Sequence, residues 1–498
     1  MKKKIIIIGA GAAGLSAGCY GQMNGYETYI FEANGGPGGL CTSWKRGDYL
    51  FESCIYWLFG TSPHNSLNTL WNELGVATGC KFIGHDEFIR LEWPDGRRFR
   101  VFANLDKLTE EMKKYAPEDK DVIDRMSREA KRISRFNVYM EKPSELFNLL
   151  DAGKFLGQNL PFLDIILKYK NMPVEKFVTL FKSQFLREAI VGLMSFLPRY
   201  PALYILMIFG NMHTGNANYP SGGSIGVASA VERRYLKLGG NISYNTKVET
   251  ILVKDNKAVG VRLADGQEHN ADIIISAADG YNTIFKMLDG KYISKKLERQ
   301  YKTLPIFHSY MQVSFGISQD LSEEPRFIVH KLEEPLIAGN QKIKDIRIRH
   351  YCFDASFAPP GKTSLVVTFA CEYDYWNNLY SDYKTYVCEK EIIKDRILTE
   401  LCKRFPGIDK KIEAYDIATP KTFERFSGNR KGSAEGWYVN DKTVDTSFEH
   451  SLKGLANFHM AGHWVEISGG IPFAALSGRN AIQRICHKDK KKFCSCTP

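Results

Sequence analysis

The chain of 498 residues lacks any uninterrupted apolar run long enough to cross a bilayer, a length of about 20 residues. Its most apolar stretch, around 190–210, is cut by Pro198, Arg199 and Pro201, which excludes one continuous membrane helix. Residues 2–4 are lysines ahead of an apolar run, the charge order of a secretory leader. Glycines arrive after only four isoleucines, so that run is too short to span a bilayer. The eleven cysteines form no short, regular framework. They read as reduced thiols of a cytoplasmic protein. Cys494 and Cys496 with His487 lack a second ligand pair, so no metal is expected. The formal charge is +11, yet no nucleic-acid motif accompanies it. The surplus, partly concentrated at 487–492, fits a solvated basic tail or contact with an anionic membrane surface. Internal repeats and low-complexity linkers are also missing.

What is present begins at residue 5. Four isoleucines lead into Gly9-Ala-Gly11-Ala-Ala-Gly14, a helical run and a second apolar strand ending at Glu32. This is strand, glycine turn, helix, strand, acid, the signature of dinucleotide binding. Gly9 permits the tight turn, Gly11 lets backbone approach a pyrophosphate, and Gly14 lets helix lie close to strand. The helix N-terminus offers N–H groups and a positive dipole end. A carboxylate at Glu32 suits an unphosphorylated ribose, as in FAD or NAD, over NADP. Gly35, Gly36, Gly38 and Gly39 follow directly, as expected of a cofactor wall.

Farther along, 88–93 and 98–102 around Pro94-Asp-Gly read as a β-hairpin. Residues 117–140 read as a charged amphipathic helix, with acids early and bases late. Residues 145–210 are helical and rich in Leu, Ile, Met and aromatics. They fit a buried core, an apolar substrate tunnel or a monotopic membrane face, readings that can coexist. Tyr219-Pro-Ser-Gly222-Gly223 opens a helix to about Leu238. No strand is expected before it, because 211–218 is polar and turn-like, so a separate NAD(P)H domain is rejected. Two short strands are expected in 241–263, with Val248 on the first. Another strand is expected at 272–276, an alternating antiparallel sheet over 305–372 and a helix over 384–405.

The last constellation is Ala461-Gly462-His463-Trp-Val-Glu466-Ile-Ser-Gly469-Gly470-Ile471-Pro, running into a helix with Ser477-Gly-Arg479. It presents a second helix N-terminus to phosphate, ribityl or ring-edge acceptors.

With these motifs, Thr419-Pro-x-Thr422 and Tyr219-Pro-x-Gly222-Gly223, the sequence resembles the phytoene desaturase and retinol saturase family. That family lies within the flavin amine-oxidase-like superfamily, and the resemblance spans nearly the whole chain. It implies FAD and an α/β architecture. A Rossmann-like FAD-binding domain (1–75, 216–285, 420–486) would be interleaved with an α+β substrate domain (76–215, 286–419) of antiparallel sheet and helical, apolar lid, followed by the tail 487–498. It further implies that Gly9, Gly11, Ala13 and Gly14 hold the pyrophosphate and Glu32 the ribose. Gly38, Gly39 and Leu40 would line the cofactor, and the Val248 backbone would meet the adenine. Gly462, His463, Gly469, Gly470 and Ile471 would approach the ribityl chain and ring. Two positions depart from the family. Leu40 stands where many members have Arg, and His463 where many have Asp or Glu; a histidine can still hydrogen-bond the ribityl chain.

The implied activity is redox chemistry at carbon–carbon bonds of isoprenoids, carotenoids, retinoids or related lipids, with hydride exchanged at flavin N5 and a proton moving at the next carbon. Glu466 is the expected proton-handling residue, ahead of His308 and Glu52. Rival activities are double-bond isomerisation of polyunsaturated lipids with the flavin returned unchanged, and amine oxidation. The late segment lacks an evident aromatic pair, which counts against amines. A non-catalytic flavoprotein is the rival of another class; a flavin that neither lipid nor reductant turns over would favour it. The expected partners are a hydrophobic small molecule, an unidentified electron donor or acceptor and, peripherally, a membrane, with no nucleic acid.

Overall fold

A computed structural model of the chain describes residues 2–138, 140–197, 199–467 and 469–496. Pro198 and Ser468, both used in the sequence reading, lie outside the described residues. The β-branched run 5–8 forms the strand Lys4–Ile8, as such residues favour a pleated, buried surface. It is the centre of a parallel sheet ordered Asn241–Ser243, Glu27–Phe31, Lys4–Ile8, Ile273–Ser276, Phe458–Met460. Ile5 to Ile7 face Ile273 to Ile275 in register, and Ile5, Ile6 and Ile7 are fully buried. Such two-sided burial is what parallel sheets require.

The helix Ala12–Met23 follows the glycine turn and packs beside Gly470–Lys488 and Gly223–Lys237. At Gly478 a side-chain carbon would overlap the Ala13 carbonyl, so the first and last helices meet backbone to backbone. An antiparallel sheet, Val248–Lys254, Lys257–Leu263 and Glu268–Asn270, joins the same body. The 241–263 stretch therefore holds three strands rather than the two expected. Its first, Asn241–Ser243, extends the parallel sheet, and Val248 begins the second.

The second layer is a seven-stranded sheet: Ile412–Ala418, Ser309–Ile317, Thr363–Cys371, Gln341–His350, Phe327–Ala338, Glu87–Glu92, Arg98–Phe102. The alternating sequence of 305–372 supplies its antiparallel centre. The early hairpin joins its edge through a parallel pairing of Ile328 with Arg90. Helices between 105 and 213 cover this end.

Two further expectations change. The helix expected over 117–140 is a short turn, Pro117–Asp119, followed by Lys120–Ile133. A strand, Ala217–Pro220, does precede the Gly222-Gly223 pair, held by Leu58–Phe59 and Phe82–Ile83. Its short partners drawn from elsewhere in the chain explain why 211–218 looked turn-like. The tail keeps Lys488 and Lys490 to Lys492 exposed, as a solvated basic tail would, and is also anchored to the body. Asp489 bonds Lys3 and Tyr26, Lys491 lies over the Tyr26 ring, and the Cys494 amide donates to Asn24. Among the described residues no helix is long and apolar enough to cross a membrane. None of the His, Cys, Asp or Glu side chains there cluster to hold a metal.

Candidate active site

Both sheets border one cavity of 1360 Å³. At one end its wall is backbone. Gly9 has φ +97°, the turn at the strand end, and donates its amide to Phe31 O at 2.8 Å, which extends the ladder to the neighbouring strand. Gly11 caps the following helix without any side-chain hydrogen bond, so the first-turn N–H groups face the cavity unclaimed by a capping side chain. A Cβ on Gly11 would project into the space that a pyrophosphate needs, its nearest neighbour being Gly38 O at 3.9 Å. Gly38 and Gly39, both at positive φ, form the opposite lip. Ala13 and Leu40 also line this end. Gly14 does not: a Cβ there would overlap Gly9 O, so its smallness serves helix–strand packing.

Glu32 lines the cavity at the end of its strand and is oriented by its own surroundings. Oε2 accepts from the Ala10 amide at 2.7 Å, and Oε1 from the Asn34 amide at 2.8 Å. Oε1 also accepts from Asn34 Nδ2 at 2.9 Å, which leaves the further lone pair of Oε2 for a ribose hydroxyl. Lys247 and Val248 close this far end. Opposite, Gly462, His463, Gly469, Gly470 and Ile471 line the wall at the start of the last helix, which has no side-chain cap at Gly469. Burial holds His463 neutral, its pKa down at about 4, and its Nε2 lies 3.3 Å from Asn429 Nδ2. Two uncapped helix N-termini, a glycine cradle and an oriented carboxylate fit a long dinucleotide such as FAD.

The rest of the cavity is mostly apolar, with Arg347 and Glu435 among its few charged groups. Tyr56, Trp57, Phe196, Leu203, Met207 and Phe209 are among its walls. The 190–210 stretch, split into Gln184–Leu193 and Ala202–His213, lines this part of the cavity. The most exposed apolar residues lie earlier, with Leu149 92%, Leu150 77%, Leu156 66% and Leu160 68% exposed. Their neighbours Phe147 and Phe155 reach the cavity wall.

The three carboxylate and histidine candidates do not meet at this wall. Glu466 is outside the lining. Burial pushes its carboxyl up to about 7, with Arg484 and Glu145 as its electrostatic neighbours. His308 also lies off the wall, packed on Phe196 and pushed down to about 4 by burial. Glu52 is fully buried and saturated with donors. It accepts from the amides of Cys54 at 2.9 Å, Ile55 at 3.1 Å and Ser224 at 2.8 Å, and from the hydroxyls of Ser43, Tyr219 and Ser224. The helix N-terminus behind Gly222-Gly223 is thus occupied by the protein's own carboxylate, which explains that motif without a second nucleotide.

One carboxylate that sequence reasoning missed does line the cavity. Glu435 lies in the loop Gly432-Ser-Ala-Glu-Gly436. The loop is pinned by Gly436 N to Ser433 Oγ at 3.0 Å and by Phe307 N to Gly436 O at 2.7 Å. Burial pushes the Glu435 carboxyl up to about 7. An acid between two glycines, shortly after Thr419-Pro-x-Thr422, was the available sequence signal.

Comparison with known proteins agrees with this geometry. The chain is 28% identical over 455 residues to prolycopene isomerase 1, chloroplastic, of an Oncidium hybrid cultivar, covering 86% of this chain and 74% of that protein. It is 23% identical over 510 residues to the lycopene-forming phytoene desaturase of Pseudescherichia vulneris, covering 96% and 98%. A solved structure of a putrescine oxidase redesigned for cofactor binding shares the fold, with TM-score 0.62 at 16% identity over 98% of this chain and 99% of that one. Residues 12–486 match the model of the flavin containing amine oxidoreductases. The chain belongs to that family and is an FAD-dependent oxidoreductase.

Proposed function

We propose that this protein moves hydrogen onto or off carbon–carbon bonds of a long hydrophobic polyene. The observation that carries this is the continuity of the cavity: the glycine cradle and the apolar tunnel are one space. A tunnel walled by Trp57, Phe196, Leu203 and Phe209 gains from burying apolar surface, about 25 cal/mol per Å². Bound FAD supplies a two-electron donor and acceptor for carbon-bound hydrogen. The chain's part is to hold the cofactor with Gly9, Gly11, Glu32, Gly462 and Gly470, to exclude water with the tunnel walls, and to lay the polyene along them. The names of the similar phytoene desaturase and prolycopene isomerase support a carotenoid-like substrate. The latter favours a second reading, isomerisation without net redox change.

We also propose that the exposed leucines of 149–160 rest on a membrane leaflet, from which a lipophilic substrate enters beside Phe147 and Phe155. The test of the reaction is anaerobic product analysis with a polyene panel and simple amines, using oxidised and pre-reduced holoprotein. Flavin reduction with a more unsaturated product means desaturation. Flavin reoxidation with a more saturated product means saturation, and a rearranged polyene at constant flavin means isomerisation. Turnover of amines alone would refute the reading.

A further inference from the structure

Glu435 stands where the two halves of the cavity join. On the cofactor side it touches the start of the last helix: a Cβ on Gly469 would overlap its Oε2. On the tunnel side its field reaches the phenols of Tyr200 and Tyr204, both on the cavity wall. Among the described residues its carboxyl has no hydrogen-bond or ion-pair partner. A carboxyl built only for structure is normally saturated when buried, as Glu52 is. We propose that Glu435 is the group that takes up or gives back the proton at the carbon next to the one exchanging hydride. This inference rests on the proposed polyene reaction.

In the desaturating direction one C–H bond breaks with its electron pair leaving as hydride to the oxidised cofactor. The neighbouring C–H bond breaks, its pair becomes the new π bond, and its proton forms an O–H bond on Glu435. In the saturating direction the same O–H bond returns its proton. The setting suits both roles. Burial leaves the carboxyl near the middle of its titration at neutral pH, at about 7, the condition for efficient general acid–base exchange. The titratable groups facing it are Tyr200 and Tyr204, both pushed above the ordinary range by burial. His463, whose backbone packs against Gly436, is held neutral. No lysine or arginine contributes to its shift.

The test uses FAD-loaded wild type, E435Q and E435D. Infrared titration follows the protonated-carboxyl stretch, and turnover is measured against pH. E435Q is expected to keep its flavin and its melting temperature, and to lose a carboxyl band titrating near neutral pH. It should lose about 100-fold or more in turnover along with one limb of the pH profile, with partial rescue in E435D. Two results would overturn the inference: E435Q turning over with an unchanged profile, or E435Q failing to hold FAD, which would make Glu435 a cofactor-binding group. Wild type inert toward every polyene would sink the reaction instead. The infrared band, read without substrate, would still decide whether Glu435 exchanges a proton in the cavity.

Discussion

At the scale of single residues, glycines of one motif separate into two roles. Gly11 has φ −70° and ψ 177°, a conformation open to any side chain, and a Cβ there meets nothing closer than Gly38 O at 3.9 Å. Gly14 has no room because Gly9 O occupies the place of its Cβ. G11V should therefore fold with wild-type thermal stability while its flavin content falls about tenfold or more. G14V should lose about 3 kcal/mol or more of stability before cofactor binding is at issue. Flavin absorbance per protein and thermal unfolding of the two purified variants check both. Glu466 carries a different expectation. Its carboxyl sits near 7 in the fold against an ordinary 4.5. The folded state holds a proton between those values that the unfolded chain has lost, so stability falls as pH rises from about 4.5 to 7. E466Q should be more stable than wild type by about 1–3 kcal/mol at pH 8 and no more stable at pH 4.5, with turnover preserved. Denaturant melts at the two pH values read this directly, and a loss of turnover would return Glu466 to the chemistry.

At the scale of elements, the exposed leucines of Leu149–Asn159 contrast with the buried face of Ala202–His213. Replacing Leu149, Leu150 and Leu156 together by Ser should abolish flotation with anionic liposomes and leave the melting temperature unchanged, because these side chains leave little water behind on folding. Equal flotation of the variant would contradict the docking face. Elements whose signals are local were readable beforehand. The glycine turn after Ile5 to Ile8, the Pro-Asp-Gly hairpin and the alternation of 305–372 each carry their geometry in adjacent residues. What was not readable depends on partners distant in the chain. The Gly222-Gly223 helix is capped by Glu52, 172 residues away from Ser224. Cys494 of the tail is tied to Asn24, 470 residues away. Glu435 gained its meaning only when Gly469 and Tyr200 closed around it, whereas Glu466, next to the glycine pair in sequence, fell outside the cavity.

At the scale of the whole molecule, the glycine-lined end beside the parallel sheet and the aromatic end beside the seven-stranded sheet share one cavity, a single active site under the proposed function. The most direct test of that continuity is to titrate the FAD-loaded protein anaerobically with a polyene analogue that cannot react, recording the flavin spectrum in wild type and in M207W. Met207 lines the tunnel and is remote in sequence from every glycine of the cradle, so a tryptophan there should obstruct the polyene and spare the cofactor. The expected result is a saturable shift of the flavin bands in wild type and its weakening by at least about tenfold in M207W at equal flavin content. A wild-type flavin spectrum indifferent to the bound polyene would contradict the account, as would an M207W protein that responds as strongly as wild type.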